Sequence, residues 1–304
     1  MTVVSPLSGT ENVKLLKIFS SEEVAKRWIS DFSIDILCEL HNISSIEHYQ
    51  CRDSQLEFFV PLKLEASPWL YEQLQKFDWY YMSDKWEYDR ALDDLTGIHR
   101  ICEIGCGSGR FLDRLAKTGH SNVEGYETNL AAVEESRRLG LTVFPEILAS
   151  GKCNRQAYDA ICAFQVLEHV ADPLGFLMSL CQYLNVGGKL ILSVPNAASF
   201  TRLIDYNLLD MPPHHMTRWR KESFMFLEQV LPLKVIKTLV EPLAVYHVDY
   251  FLNAHISRLP RVKLANKLLT KVIRKCGGMV LRNSVFARAM INGHTLYCVL
   301  EKTG

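Results

Sequence analysis

A chain of 304 residues with 48% hydrophobic content is long enough to bury one large or two modest cores, which excludes disorder as its default state. Its 34 basic and 34 acidic residues cancel, so it lacks the electrostatic footprint of a dedicated nucleic-acid binder, and no nucleic-acid partner is expected. Nine irregularly spaced cysteines, a start without the basic and apolar regions of a secretory signal, and no uninterrupted apolar run of about 18 residues imply a cytoplasmic protein with reduced thiols.

Residues 1–92 are mixed in pattern and read as an N-terminal appendage. Cys38-x-x-His41 with Cys51 offers three of the four ligands that a closed zinc site needs, but Asp53 and Ser54 stand where a second cysteine pair would belong, so no metal is expected. The appendage ends in an aromatic run that includes Trp79, Tyr80, Tyr81, Trp86 and Tyr88. Large rings exclude water at low entropic cost, so this run is either a lid over a ligand or a segment that docks the appendage onto the rest; as a lid it would put Tyr80 and Tyr81 against a substrate.

From Ile98 to about Asn196, short apolar runs alternate with helical patterns, the signature of βαβ units and a parallel sheet. Ile98 to Ile104 is a buried strand that runs into Gly105-Cys106-Gly107-Ser108-Gly109; Phe111, Leu112 and Leu115 then repeat at helical spacing until Gly119. Val123 to Tyr126 is the second strand, with Asn129 as the N-cap of the next helix and Gly140 as its end. Leu141 to Phe144 is the third. Ala160 to Phe164 is the fourth, followed by Asp172-Pro173, an N-cap and N1 pair opening a helix that is expected to end at Gly187-Gly188. Leu190 to Val194 is the fifth.

A glycine turn between a parallel strand and a helix lets backbone approach a ligand where any Cβ would collide. By itself that device also serves dinucleotides. Two details point elsewhere: Glu103 lies within the first strand, where a carboxylate can meet a cationic ligand or its ordered water, and the spacing is GxGxG. Glu127, with Thr128 after it, closes the second strand, and its carboxylate suits the cis-diol of a ribose.

These segments resemble the class I S-adenosylmethionine (SAM)-dependent methyltransferases, and most closely the branch of ubiquinone-biosynthesis O-methyltransferases and bacterial small-molecule and glycan methyltransferases. ICEIGCGSGRF is similar to the first motif of that family, YETN to the acidic second, YDAICAFQVLEHVADP to the fourth-strand motif and LNVGGKLILSVPN to the fifth. The resemblance implies a Rossmann-like α/β fold of seven mostly parallel strands with an antiparallel last strand at the sheet edge. The SAM-binding domain would then span residues 93–304, with a helical insertion at about 252–288. It implies SAM as cofactor: Glu103, Gly105, Gly107 and Gly109 around the methionine moiety, Glu127 at the ribose, Phe164 and Gln165 lining the site, and Cys106 and Thr128 as further cofactor contacts. The acid that often meets the adenine in that family has no clean match; Glu146 is nearest.

Methyl transfer is an in-line displacement at a sulfonium, so the protein chiefly aligns the reactants and excludes water. A hydroxyl acceptor also needs somewhere for its proton to go, which histidine supplies near neutral pH. The candidates are His169 after the fourth strand and His214 and His215 in the loop Met211-Pro212-Pro213-His214-His215, with Trp219 nearby as a substrate contact. The expected acceptor is a small molecule or sugar, methylated at oxygen. A SAM-binding regulator without activity and an NAD-dependent oxidoreductase are the alternatives.

Phe251 to Leu300 carries nine basic and no acidic residues, with an apolar stripe at helical spacing. The stripe packs as an ordinary insertion helix, or else the basic face meets an anionic or lipid-linked acceptor or the membrane surface itself. Gly293 to Leu300 reads as the final strand.

Overall fold

The computed structural model describes residues 2–77, 79–80, 82, 84–148, 157–259 and 265–304, the side chains of 265–268 excepted. The appendage begins with three antiparallel strands, β1 (Val13–Ser20), β2 (Ser45–Cys51) and β3 (Glu57–Val60). The helix Ser21–Phe32 is opened by the Ser20 hydroxyl, which accepts from the Glu23 N–H. It buries Val24, Ala25 and Trp28 in a core shared with Phe59 and Leu70.

The second sheet is built from β4 (Arg100–Ile104), β5 (Asn122–Tyr126), β6 (Val143–Phe144), β7 (Tyr158–Phe164) and β8 (Leu184–Pro195), all parallel. The two-residue β9 (Thr217–Arg218) crosses back to pair with β3, so the first sheet is completed by a segment more than 150 residues further along. β10 (Leu233–Pro242) and β11 (Asn292–Lys302) finish the second sheet, whose order is β10-β11-β8-β7-β4-β5-β6. Seven mostly parallel strands with an antiparallel last strand are as expected.

A parallel sheet covered on both faces needs apolar residues on both, which is why its strands read as continuous runs. In β7, Ala160, Cys162 and Phe164 join one core with Tyr88 and Phe111, while Ile161 and Ala163 join the other with Leu177 and Leu192. The caps also follow the sequence: the Asn129 side chain accepts from the N–H groups of Ala131 and Ala132, and Asp172 accepts from Gly175 ahead of Pro173 at N1.

Two expectations are corrected. The helix after Asp172 ends at Tyr183 rather than Gly187-Gly188; Leu184 is already extended, and these glycines serve a bulge in β8, where Tyr158 and Ala160 of β7 face Leu184 and Lys189. The last strand is not at the edge: β11 lies antiparallel between β10 and β8, with Thr295 to Leu300 all buried, and β10, which exposes Lys234, is the edge strand. Between β10 and β11 an excursion including the helices Val248–Ile256, Ala265–Val272, Gly278–Asn283 and Val285–Ala289 gathers a small core of its own around Phe200, Leu243, Val248 and Leu252. No helix among the described residues is long and apolar enough to cross a membrane.

Candidate active site

The C-terminal ends of β4, β7 and β8 open into a cavity of about 370 Å³, the place where ligands bind in open α/β sheets. Its floor on the β4 side is the glycine turn. Gly105, Gly107 and Gly109 hold φ of 65°, 51° and 75°, and a Cβ on Gly105 would lie 2.6 Å from Val166 Cγ2, so the sequence has glycine where no side chain fits. The Gly105 and Cys106 N–H groups donate to the Tyr126 carbonyl, while the Gly107 N–H donates to Glu127 Oε2 at 2.9 Å and the Asn129 N–H to Glu127 Oε1 at 2.8 Å. Glu127 thereby ties the turn to the next helix and keeps lone pairs for further donors.

Glu103 sits beneath the turn, 2% exposed, with no hydrogen-bond partner for Oε2 among the described residues. Burial holds its carboxyl well above the usual carboxylate range, opposed by Lys85 and reinforced by Glu127. An orphaned buried acid beside a turn made for close approach fits a cationic ligand group. Tyr88, Phe111 and Phe164 pack below with centroids 4.9–5.4 Å apart.

The opposite wall is a cluster of histidines. The His169 ring lies 4.7 Å from that of His214 and 4.6 Å from that of His215, and the last two stack at 4.4 Å. The loop that carries His214 and His215 is anchored by both their N–H groups to the Met211 carbonyl and by the Met216 N–H to the Glu168 carbonyl. His215 Nδ1 meets Asp210 Oδ1 at 3.2 Å, and Asp210 Oδ2 is held by Arg218 Nε at 3.2 Å. Burial pushes His169 down to about 4, opposed by its hydrogen bond to the His214 carbonyl; burial and the neighbouring rings hold His214 and His215 well below the ordinary range. Burial thus favours the neutral imidazole at all three.

Of the expected site residues, Tyr80, Gly105, Cys106, Gly107, Phe164, Gln165, His169, His214 and His215 line one cavity. Glu103 and Glu127 support it from behind, Gly109 packs toward Ser136 and Leu141, and Thr128 is exposed. Tyr81 lies outside the described residues. Trp219 is elsewhere: it is fully buried, donates from Nε1 to Thr217 Oγ1 at 2.9 Å and stacks on Phe224, a core residue and not a wall of the cavity. The aromatic run divides. The Tyr80 hydroxyl reaches His214 Nε2 at 2.9 Å at the cavity wall, which Trp79 and the otherwise buried Tyr88 also line, whereas Trp86 packs on Tyr297, docking the helix Trp86–Asp94 to the sheet. Cys38 is exposed and Cys51 buried, and among the described residues they form no metal-ligating group with His41.

Sequence reasoning missed Glu87, Glu168 and Asp210. Glu87 is 3% exposed and accepts from Gln165 Nε2 and Ser193 Oγ at 3.3 and 3.2 Å; Gln165 itself adopts φ of 57°, a strained value for a residue with a side chain. Glu168 was legible as an acid inside the apolar run VLEHV. Tyr246, Tyr250, His294 and Thr295 also line the cavity, and nothing local in the sequence marks them.

A family described as "Methyltransferase domain" matches residues 45–229. The ubiquinone biosynthesis O-methyltransferase of Vibrio cholerae is 27% identical over 115 residues, 35% of this chain and 46% of that protein, so the chain spans about half the length of such relatives. The protein of the same name from Xanthomonas oryzae is 29% identical over 169 residues, covering 47% and 69%. Among solved structures, a SAM-dependent methyltransferase from Archaeoglobus fulgidus aligns with 71% of this chain and 91% of its own, at 16% identity and a TM-score of 0.49.

Proposed function

The chain belongs to the class I SAM-dependent methyltransferases, and we propose that it moves the SAM methyl group to an oxygen of a small-molecule or glycan acceptor held against the histidine wall. The observation that carries this reading is one cavity bounded by the glycine turn on one side and three neutral imidazoles on the other. SAM supplies an electrophilic methyl on a sulfonium whose charge disappears in the transition state. Glu103 would face the methionine amino group, Glu127 the ribose hydroxyls, and the bare backbone of Gly105 and Gly107 would allow close approach. Tyr80 and the rings beneath exclude water.

In this reading His215 receives the acceptor's proton, and its contact with Asp210 supports the role. Asp210 fixes its ring with the proton on Nδ1, which leaves Nε2 as the lone pair, the division of labour of a base and its orienting carboxylate. The name of the Vibrio and Xanthomonas relatives supports oxygen as the atom methylated. The basic excursion supports an anionic or lipid-linked acceptor: Val285, Phe286 and Met290 are 72–77% exposed on a segment without acidic residues. A cytoplasmic location accords with this reading.

Calorimetry with S-adenosylhomocysteine (SAH) and with NAD, followed by transfer of labelled methyl from SAM to a panel of phenols, sugars and carboxylic acids, tests the proposal. Binding of SAH alone and turnover on a hydroxyl acceptor are expected. Absence of SAH binding overturns it, and SAH binding without turnover on any acceptor favours a regulatory protein.

A further inference from the structure

We propose that His169, His214 and His215, with Glu168 as a fourth donor, form a binding site for one divalent transition-metal ion in the wall of this cavity. One ring nitrogen from each histidine lies within 4.8 Å of the others, all three residues being buried or nearly so. Their hydrogen bonds favour Nδ1 as the donor, His169 Nδ1 also meeting the Tyr71 hydroxyl at 3.1 Å. His169 Nδ1 donates to the His214 carbonyl at 2.7 Å, His214 Nδ1 to the Leu209 carbonyl at 2.8 Å and His215 Nδ1 to Asp210 at 3.2 Å. Carbonyl and carboxylate oxygens only accept, so each Nδ1 carries the hydrogen and each Nε2 is a lone pair. An imidazole that donates from one nitrogen to a carbonyl or carboxylate and offers the other is the arrangement of a metal-bound histidine, and three such rings lie against one another here with centroids 4.4–4.7 Å apart.

Glu168 is an independent sign. It is 1% exposed and lines the cavity, with Oε1 4.0 Å from His169 Nε2. Neither carboxylate oxygen has a hydrogen-bond partner on any other described residue. A buried carboxyl with both oxygens unmatched is costly, and a bound cation at this place removes that cost. His214 Nε2 now accepts the Tyr80 hydroxyl at 2.9 Å, which an ion would displace. Tetrahedral ligation at about 2.0–2.1 Å needs donor nitrogens about 3.4 Å apart, so the rings must close by roughly an ångström. Three imidazoles and one carboxylate favour zinc, cobalt or nickel over magnesium, which prefers oxygen donors.

The consequence for chemistry rests on the methyltransferase reading. With an ion bound, the imidazoles would serve as its ligands, and the ion would supply Lewis acidity that lowers the pKa of an acceptor hydroxyl, so that His215 would hold the ion instead of receiving the proton.

The test is cobalt binding to the full-length chain after treatment with chelator. One equivalent of Co²⁺ is expected to produce visible ligand-field bands that excess Mg²⁺ does not abolish. His169→Ala and His215→Ala should lose the bands. Glu168→Gln, which keeps the shape of the side chain, and Asp210→Asn, which only orients His215, should weaken cobalt binding about 10- to 100-fold. Thermal melting and SAH affinity of each variant separate loss of the site from loss of the fold. No bands in the unaltered chain, or bands that persist in both histidine variants, overturn the proposal. Cobalt binding without SAH binding supports the metal site and counts against the methyl-transfer reading alone.

Discussion

The two walls of the cavity are built on opposite principles. The glycine wall is local: Glu103, the turn from Gly105 to Gly109, and Glu127 fall within 25 consecutive residues, and one strand-turn-helix-strand passage positions them all. The histidine wall is assembled at long range from the turn after β7, the loop before β9, the helix Val248–Ile256 and the start of β11. A local wall announces itself by spacing, because adjacent residues must satisfy one backbone geometry. A long-range wall leaves only residue types behind, and those are ambiguous until the chain has closed.

Trp219→Ala probes this contrast most sharply. The residue reads as an acceptor contact from its position beside the histidine loop, yet it is a core residue; the substitution should cost about 4 kcal/mol of stability in denaturant melts and leave the acceptor KM of the folded protein unchanged. A large rise in KM without destabilisation would return Trp219 to the cavity. His215→Ala comes next: kcat should fall about 10²-fold with SAH affinity within about threefold, whether the ring acts as base or as ligand. Equal losses in both would mean that the two walls are not separable.

Gly105→Ala attacks the other wall. It places a Cβ at φ of 65° and against Val166, and is expected to weaken SAH binding about 30-fold with less effect on the acceptor KM. The smallest effect is a pH signature at a buried carboxyl of β10 that does not line the cavity. Glu241 of β10 is 4% exposed with no partner for Oε2 among the described residues, and burial pushes its carboxyl up to about 7. A folded-state value above the unfolded one means that its contribution to stability is intact below the ordinary carboxylate range and is lost as pH rises through about 7. Glu241→Gln should therefore gain roughly 3 °C in melting temperature over the unaltered chain at pH 8 relative to pH 5. A gain that does not change with pH would show that the carboxyl is not so placed.

The parallel strands, their order of appearance, the caps at Asn129 and Asp172 and the cofactor turn were legible because each depends on periodicity, backbone conformation or a hydrogen bond within a few residues. Gly187 and Gly188 misled for the same reason: a glycine pair after a helical run is a normal helix end, and only pairing with β7 turns it into a strand bulge. The placement of β11 between β8 and β10 was not legible in its own residues, since a buried apolar strand reads alike in the middle of a sheet and at its rim until its neighbours are known.

By itself, the sequence determined the class of fold and the glycine wall, since a carboxylate in a strand followed by three glycines satisfies constraints that are all local. Only the tertiary structure decided the other wall. It carried Trp219 into the core, drew Asp210 to His215 and packed the rings of His169, His214 and His215 against one another, because the burial and hydrogen bonding of those groups depend on partners tens of residues away.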